Sequence, residues 1–246
     1  MKLISYALTD VGRFRDHNED SFLQRDDLGL YGVADGMGGH TAGEQASRLA
    51  VTAVEAALSA TTASERQALV AAVGQATKTA SAEIFSAGER NPDLEGMGTT
   101  LTVLWFRGGR VYLSHVGDSR AYLYRDGAVK QLSLDHTWVN EQVRSGQMTE
   151  AEAKGSQYRH VITRSVGFER NVEVDTLAQT VEAGDLYLLC SDGLSNYFSE
   201  EILADVFAQT FYRNLPSRLV DLANTCGGED NITALVVQVC NDTGST

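Results

Sequence analysis

The sequence has few of the residues that mark secreted or multidomain proteins. Its 246 residues include two prolines and three cysteines. Because no Pro- or Ser/Gly-rich linker interrupts the chain, we expect a single domain over residues 1–246. The cysteines, Cys190, Cys226 and Cys240, have no CxxC spacing and are odd in number. Their number and spacing indicate a reducing compartment and no disulfide framework.

Long apolar runs are also missing. None approaches the roughly 18 residues that a membrane-spanning helix needs. The first apolar segment meets the polar pair Thr9-Asp10 too early for a signal peptide. We therefore expect a soluble, cytoplasmic protein with no membrane partner.

Positive charge is scarce. Lys and Arg number 20 against 33 Asp and Glu, which gives a net charge of -13. No basic stripe is present that could neutralise phosphates, so nucleic acid is excluded as a partner. Two explanations of the acidity remain open. It is a solubilising surface, or some carboxylates cluster and are balanced by cations that the sequence does not encode.

The pattern of apolar residues predicts helices and strands in separate blocks. Two Ala-rich helices are predicted near 46–58 and 65–87. From Thr99 to Leu132, β-branched and aromatic segments divided by glycine turns predict an antiparallel meander. Residues 135–170 are polar and predict a helical excursion outside the core. The remaining predicted strands are 3–9, 21–26, 30–34, Val172–Val181, Asp185–Cys190 and Ile232–Val239, and the remaining helices are Glu200–Ala208 and Pro216–Thr225. This block order favours an α+β fold, with antiparallel sheets covered by helices.

Four apolar stretches end or begin at an aspartate beside a glycine or a polar turn. An aspartate at one strand end usually caps a turn. Several such ends gathered by a sheet would form a repulsive cluster that is tolerable only with protons or metal ions. The four sites are Asp35-Gly36, Gly117-Asp118, Asp192-Gly193 and Asp230-Asn231, and the pair Glu19-Asp20 lies upstream.

The available ligands select the metal. The five histidines show no HxH or HExxH spacing, which leaves hard oxygen donors that suit Mg²⁺ or Mn²⁺ and not zinc. Two such ions about 4 Å apart, bridged by one carboxylate, activate a water and clamp a phosphoryl group. Asp35 is the best candidate for the bridge, because Gly36 beside it could offer its carbonyl to the second ion.

Other phosphate chemistries are excluded by their missing motifs. No cysteine is followed six positions later by arginine, as a cysteine phosphatase requires. No GxxxxGK[ST] loop is present. The segments that begin at Gly117 and Gly193 both lack the last glycine of a nucleophile elbow. Cys190, inside an apolar strand, is expected to be a buried packing residue.

Seven motifs in order resemble those of the metal-dependent serine/threonine protein phosphatases of type 2C, in their compact bacterial form. The similarity spans about residues 5 to 240. The motifs are Arg15-x-x-Asn18-Glu19-Asp20, Val33-Ala34-Asp35-Gly36-Met37-Gly38-Gly39-His40, Gly43-Glu44, Gly98-Thr99-Thr100, Val116-Gly117-Asp118-Ser119-Arg120, Ser191-Asp192-Gly193-Leu194 and Asp230-Asn231-Ile232-Thr233.

The resemblance implies a four-layer α-β-β-α sandwich with two Mn²⁺ or Mg²⁺ ions at one end. Asp35 would bridge both ions, and the Gly36 carbonyl would bind one of them. Asp192 and Asp230 would bind the other ion. Glu19 and Asp20 would bind an ion directly or orient its waters. Asp118, with Asp192, would hold a weaker third ion.

The same resemblance assigns the chemistry. Four aspartates are expected to carry catalysis: Asp20, Asp35, Asp192 and Asp230. Arg15 matches the arginine that grips the substrate phosphate, a bidentate task that suits guanidinium. Residues 135–170 match a flap beside the site, with the family's recurring pair Thr163-Arg164. At position 160 this chain has His where many relatives have Asn, which leaves substrate contacts by the flap undecided.

Simpler roles are expected at five other positions. Arg13 is predicted to lie on the surface, and Arg120 to brace the Asp118 turn. His40 is expected to satisfy loop backbone, and Glu44 to favour the dipole of the first helix. His160 is expected to be an ordinary surface residue, unless the flap closes and brings it to the site.

The function that the resemblance implies is hydrolysis of phosphoserine and phosphothreonine in proteins by a metal-bridging hydroxide. Such an enzyme opposes serine/threonine kinases in bacterial signalling. Its partners would be phosphorylated proteins and a cognate kinase, and we expect a monomer. Two alternatives stay open: an inactive phosphoprotein-binding module of the same fold, and a phosphatase dedicated to one phosphorylated regulator such as an anti-sigma antagonist.

Overall fold

The computed structural model describes residues 2–39 and 41–241, and within them the strands form two antiparallel sheets. The first sheet has the order β1 (Lys2–Asp10), β11 (Ile232–Cys240), β10 (Leu186–Cys190), β7 (Arg120–Arg125) and β8 (Ala128–Gln131). The second has the order β2 (Asp20–Arg25), β3 (Leu30–Met37), β5 (Leu101–Arg107), β6 (Arg110–Val116) and β9 (Asp175–Thr180), and the short β4 (Gly98–Thr99) pairs with β3.

Helices cover the outer face of each sheet. The long helices α1 (Thr41–Ser59) and α2 (Arg66–Arg90) share an apolar cluster with the second sheet. The helices α6 (Glu200–Gln209) and α7 (Leu215–Cys226) share another with the first sheet. A third apolar cluster lies between the two sheets. Three apolar interfaces define four layers, so the predicted α-β-β-α sandwich is confirmed.

Strand β5 illustrates how the sequence produces this layering. Its side chains alternate between faces. Leu101, Val103 and Trp105 pack toward α1 and α2, whereas Leu104 and Phe106 pack between the sheets. All five are at most 4% exposed, and each contributes about 1.5–3 kcal/mol through burial. A strand covered on both faces is apolar throughout, which is why it reads as a continuous hydrophobic run.

The predicted meander between Thr99 and Leu132 is wrong at its centre. Strands β5 and β6 pair, and β7 and β8 pair, but β6 and β7 belong to different sheets. The chain crosses from one sheet to the other through Gly117-Asp118-Ser119. Gly117 has φ of +107°, and a Cβ there would lie 2.6 Å from Thr100 Cγ2. Only glycine fits this crossing, which leaves Asp118 at one end of the sandwich.

Residues 135–170, predicted to be a helical excursion outside the core, are here called the flap. It contains α3 (Trp138–Arg144) and α4 (Glu150–Gly155), whose first turns are capped by the side chains of Thr137 and Thr149. The flap returns to the core at Val166, which is buried and exchanges backbone hydrogen bonds with Thr99. The strand predicted at Val172–Val181 is shorter than expected, because only β9 joins the sheet.

In the part of the chain that the structure describes, no helix has the length and apolar character needed to cross a bilayer.

Candidate metal centre

The register of the strands brings four acidic positions to one end of the sandwich. Asp20 and Asp35 are direct Cα partners between β2 and β3. In the other sheet, Cys190 at the end of β10 lies opposite Ala234 near the start of β11. The chain therefore leaves β10 and enters β11 at the same end of the sheet. Asp192 and Asp230 follow and precede these strands by only two residues each.

Asp20 joins the two sheets. Its Oδ2 accepts hydrogen bonds from Ser191 Oγ at 2.7 Å, directly after β10, and from Thr233 Oγ1 at 2.6 Å, in β11 of the opposite sheet. Its Oδ1 is buried and has no hydrogen-bond donor. One oxygen is thus fixed by the fold and the other is left for a ligand.

Asp35 is held through its backbone. Its N–H donates to Thr100 Oγ1 at 2.9 Å, and its carbonyl accepts from the Thr100 N–H at 2.9 Å. Thr99 Oγ1 donates to the same carbonyl at 2.8 Å. These hydrogen bonds satisfy the backbone N–H and C=O of Asp35, so its carboxylate is not needed to bond them.

Gly36 lies where the backbone is most crowded. Its N–H donates to the Glu19 carbonyl at 3.1 Å. A Cβ at this position would overlap the backbone carbonyl oxygens of Gly43 and Glu19. The close approach of β3 to the first turn of α1 therefore requires glycine, independently of any ligand.

Asn231 connects the loops around the site, a role that its place in a motif did not reveal. Its Oδ1 accepts from the Glu19 N–H at 2.8 Å. Its Nδ2 donates to the carbonyls of Val11 and His17, each at 2.9 Å. The amide can donate and accept at once, which fixes Glu19 beside the loop that carries Arg15.

Asp192 opens the one-turn helix α5 (Asp192–Ser195). Its Oδ1 is buried without a hydrogen-bond donor, and its Oδ2 accepts from Asn196 Nδ2 at 3.2 Å. His160 Nδ1 lies 3.8 Å from the same Oδ2. The flap thus brings His160, expected to be a surface residue unless the flap closes, to the edge of the site, although its side chain stays 47% exposed.

Asp230 and Arg15 form an ion pair at the rim. Arg15 Nη2 donates to Asp230 Oδ2 at 2.8 Å, and the Asn231 N–H donates to Asp230 Oδ1 at 2.8 Å. The Arg15 side chain is 51% exposed. The predicted phosphate-gripping arginine therefore touches one of the predicted metal ligands, while about half of its side chain stays exposed to solvent.

Asp118 is buried at the crossing between the sheets, with 7% of its surface exposed. Arg120, two residues on, does not bond to it. Arg120 instead forms a bidentate pair with Asp135, in which Nε lies 3.0 Å from Oδ1 and Nη2 lies 2.6 Å from Oδ2. The arginine braces the turn, as expected, by tying it to the first residue of the flap.

Burial and mutual repulsion raise the pKa values of these carboxyl groups. Burial, opposed by two hydroxyl donors and reinforced by Asp192 and Asp230, raises the pKa of Asp20 to about 7. Burial and then Asp192 raise the pKa of Asp118 to about 8. Asp35 is partly exposed as a residue, yet desolvation of its carboxylate and the charge of Asp20 raise its pKa well above the usual range. The pKa of Asp230 is raised by burial first.

This donor set fits hard divalent cations. Its members are carboxylate oxygens, and two of these oxygens are buried without any donor. Within residues 2–39 and 41–241, no group of three or more His, Cys, Asp or Glu side chains is drawn together tightly enough to hold an ion. The carboxylates at this end of the sandwich repel one another, and divalent cations would supply the positive charge that offsets this repulsion. Mn²⁺ or Mg²⁺ is the appropriate choice for oxygen ligands.

The carboxylate cluster predicts an unusual pH dependence of stability. Asp20 and Asp118 have folded-state pKa values of about 7 and about 8, above their ordinary value of 3.8. The unfolded chain has already released these protons at pH 6.5, whereas the folded chain still holds them. In a chelator, the free energy of unfolding should therefore fall by about 2 kcal/mol between pH 6.5 and 8. Urea titrations along this interval measure it, and saturating Mn²⁺ should remove the fall.

The two buried histidines oppose this fall only at the lower end of the window. Burial lowers the pKa of His115 to about 4 and also lowers the pKa of His136, so both groups destabilise the fold as the unfolded chain takes up their protons around and below about pH 6.5. Asp20→Asn keeps an acceptor for Ser191 and Thr233 and should flatten part of the slope. A chelated wild-type protein whose stability is constant or rises from pH 6.5 to 8 would contradict the electrostatic description of the site.

The remaining predicted positions have structural roles. Arg13 is exposed, and its Nε donates to the Asn224 carbonyl at 2.7 Å. Glu44 lies in the first turn of α1 and pairs with Arg48 at 2.7 Å. Cys190 is buried in the core, as expected. His40 lies outside the described residues.

Comparison with known proteins gives a consistent result. The family description "Protein phosphatase 2C" matches residues 14–224. The serine/threonine protein phosphatase PstP of Mycobacterium tuberculosis is 40% identical over 242 residues, which cover 98% of this chain and 46% of that protein. This chain therefore spans about half the length of that curated relative. The serine/threonine phosphatase stp of Listeria welshimeri is 37% identical over 237 residues, covering 94% of this chain and 93% of that protein.

A solved structure is similar over almost the whole chain. The catalytic domain of PstP, crystallised with two manganese ions, superimposes with a TM-score of 0.87 at 38% sequence identity. The match covers 97% of this chain and 99% of that one. The sandwich thus has a counterpart in a protein crystallised with manganese.

Proposed function

Since this chain belongs to the protein phosphatase 2C family, we propose that it is a Mn²⁺- or Mg²⁺-dependent hydrolase of phosphoserine and phosphothreonine in proteins. The observation that carries the proposal is the gathering of Asp20, Asp35, Asp192 and Asp230 at one end of the sandwich. Three of these carboxyl groups have raised pKa values, and Asp20 and Asp192 each have an oxygen without a hydrogen-bond donor. A nearby positive charge would stabilise their ionised forms. A centre of divalent cations supplies that charge and binds phosphate monoesters at the same place.

Each residue has a defined part in holding the centre. Asp35 would bridge two ions, and Gly36 would offer its carbonyl to one of them. Asp192 and Asp230 would hold the other ion, while Glu19 and Asp20 would bind an ion or orient its waters. Ions held in this way lower the pKa of a coordinated water and clamp the phosphoryl oxygens. The sandwich contributes rigidity, because ligands on strand ends are fixed by the sheet.

Arg15 would position the phosphate. It lies at the rim, bonded to Asp230 and half exposed, so its outer nitrogens are accessible to an incoming phosphoseryl side chain. A guanidinium offers two parallel donors to two phosphate oxygens, which an ammonium does not. The pair with Asp230 would keep the guanidinium aimed at the centre.

Turnover with a simple substrate tests the proposal. Purified protein freed of metal should hydrolyse p-nitrophenyl phosphate only after Mn²⁺ or Mg²⁺ is added. It should release phosphate from phosphoserine and phosphothreonine peptides but not from phosphotyrosine peptides at a comparable rate. Absence of turnover at every metal concentration would contradict the proposal and favour a non-catalytic phosphoprotein-binding module. The presence of all four aspartates argues against that module.

Asp118 is proposed to hold a third, weaker ion together with Asp192. Asp118→Ala removes a carboxylate at 7% exposure without touching Asp35 or Asp230. We expect the two core ions to bind as before, and the dependence of activity on Mn²⁺ concentration to shift to higher concentration by roughly tenfold. Titrating activity with Mn²⁺ measures this shift. Asp205→Ala, an exposed change on α6, is the control, and an unchanged Mn²⁺ dependence of the Asp118→Ala variant would remove the third ion.

Partners and location belong to the same proposal. The substrates would be proteins phosphorylated by a cognate serine/threonine kinase in bacterial signalling, and the acidic surface speaks against nucleic acid. The cysteines are unpaired, and Cys226 is exposed, which suits the reducing cytoplasm. The proposed site is built from one chain, so a monomer suffices for activity.

A further inference from the structure

His136 and Gly117 are joined by two reciprocal hydrogen bonds. The His136 N–H donates to the Gly117 carbonyl at 2.8 Å, and the Gly117 N–H donates to His136 Nδ1 at 3.1 Å. On its other side Gly117 is packed against Thr100, which holds the backbone of Asp35. The turn that carries Asp118 is therefore held between Thr100 on one side and His136 on the other.

The hydrogen bonds assign the tautomer of His136. Nδ1 accepts a hydrogen bond from the Gly117 N–H, so in the neutral ring the hydrogen is on Nε2. Nε2 lies 3.4 Å from Asp175 Oδ2, which can accept it. Burial, followed by the charge of Arg164, lowers the pKa of His136. The lowered pKa favours the neutral ring, and only a neutral ring has a nitrogen that can accept the hydrogen bond from Gly117.

The same residue ties both ends of the flap together. His136 is the second residue of the flap, and its carbonyl accepts from the Thr163 N–H near the other end at 2.9 Å. Arg164 Nη1 donates to Asp175 Oδ1 at 2.9 Å and lies 3.0 Å from His136 Nε2. A neutral ring accepts at one nitrogen only, so the bond from Gly117 to Nδ1 and a bond from Arg164 to Nε2 are alternatives. With Gly117 bound, Nε2 carries the hydrogen, and His136 and Arg164 share Asp175 as their acceptor.

The ring cannot move independently of the sheet. It packs on His115, with ring centroids 4.8 Å apart. His115 lies on β6 and is fully buried, and its Nε2 donates to the Leu134 carbonyl at 3.0 Å. The segment that leads into the flap is thus fixed to β6 on one side of His136 and to the Asp118 turn on the other.

We propose that His136 is a positioning residue that transmits the placement of the flap to the Asp118 turn, and so sets the divalent-cation affinity at that carboxylate. It touches neither substrate nor reacting atoms. The inference rests on the proposed function for its consequence in catalysis, whereas the coupling between His136 and the turn rests on the hydrogen bonds alone. Flap movement that draws His136 away would release the Gly117 N–H, and the Asp118 carboxylate with it.

Two substitutions distinguish the two contacts of the ring, the contact of Nδ1 with Gly117 and that of Nε2 with Asp175. In His136→Asn, Oδ1 takes the place of Nδ1 and keeps an acceptor for Gly117, but the contact with Asp175 is lost. In His136→Gln, the longer amide reaches toward Asp175 and the acceptor for Gly117 is lost. The Asn variant should therefore hold the Asp118 turn, and the Gln variant should not.

Two measurements that need no turnover test the proposal. Hydrogen–deuterium exchange of the metal-free protein reports the amides of residues 116–119. Calorimetric titration with Mn²⁺ reports affinity. We expect the Gln variant to exchange at least tenfold faster at residues 116–119 and to lose about tenfold in the weakest Mn²⁺ affinity, with the Asn variant within about threefold of wild type in both.

A stability control is available at the far end of α1. Leu58 is buried and lies 17 residues beyond Thr41, about 25 Å along the helix from the site. Leu58→Ala lowers global stability without touching the flap and should leave exchange at residues 116–119 unchanged relative to the rest of the sheet.

The outcomes separate the inference from the proposed function. Equal exchange at residues 116–119 in the Asn and Gln variants, or equal acceleration in Leu58→Ala, would overturn the role of His136. Failure of the wild-type protein to bind Mn²⁺ would instead overturn the proposed function, and the exchange comparison would still decide whether His136 holds the turn. If both His136 variants fail to fold, exchange of the wild-type protein decides. The Gly117 amide, which donates to His136 Nδ1, should be protected, and a Gly117 amide that exchanges as fast as exposed loop amides would overturn the role of His136.

Discussion

Asp192→Asn is expected to lower metal-dependent turnover by more than about 100-fold while the fold survives. Loss of a residue that only supports a ligand typically costs 10- to 100-fold in affinity or activity, and a proposed ligand should cost more. Asn has the shape of Asp and can keep the contact with Asn196, so no cavity forms. Steady-state hydrolysis of p-nitrophenyl phosphate across a range of Mn²⁺ concentrations measures the loss.

Stability gives a second, independent readout of the same variant. In a chelator, Asp192→Asn removes one charge from a repulsive cluster and should melt at the same temperature as wild type or higher. In saturating Mn²⁺ the order should reverse, because only wild type gains the full binding energy. Asp205→Asn on the exposed face of α6 is the matched control and should change neither order. Near-normal turnover by Asp192→Asn would mean that the site is misplaced.

Gly36→Ala is expected to destabilise the protein by at least about 3 kcal/mol. The added methyl group would overlap backbone carbonyl oxygens of Gly43 and Glu19, and backbone atoms cannot rotate away as side chains can. Separating β3 from the first turn of α1 would also displace Asp35. Urea denaturation in a chelator measures the loss without any contribution from metal.

The matched control lies on the same strand. A Cβ at Gly32 would meet its nearest neighbours at 3.6 Å, an ordinary contact distance. Gly32→Ala should therefore change the free energy of unfolding by less than about 1 kcal/mol. Equal effects of the two substitutions would show that the close approach at Gly36 does not limit the fold.

The sequence predicted those features that depend on local pattern. Helical spacing placed α1 and α2, and apolar runs placed the strands that carry Asp35 and Asp192. The split of the meander at Gly117 was missed, because a glycine turn between two strands reads the same whether they pair or separate into two sheets. Which strands pair is decided by long-range packing, here by β9 returning to cover β6.

The supporting residues of the site were harder to predict than its aspartates. Ser191, Thr233 and Asn231 stand in recognisable motifs, but their hydrogen bonds cross between sheets more than 170 positions apart in sequence. Nothing local to a serine predicts such a partner. His160 and His136 depend on how the flap folds back, and that fold is set by caps and ion pairs spread over 40 residues.

The most direct test of the account is anomalous diffraction at the manganese edge from crystals grown with Mn²⁺. We expect two strong peaks on either side of Asp35, one also contacted by Asp192 and Asp230 and the other by the Gly36 carbonyl. Crystals in ample manganese that show these aspartates directed to separate places, with no peak between them, would contradict it.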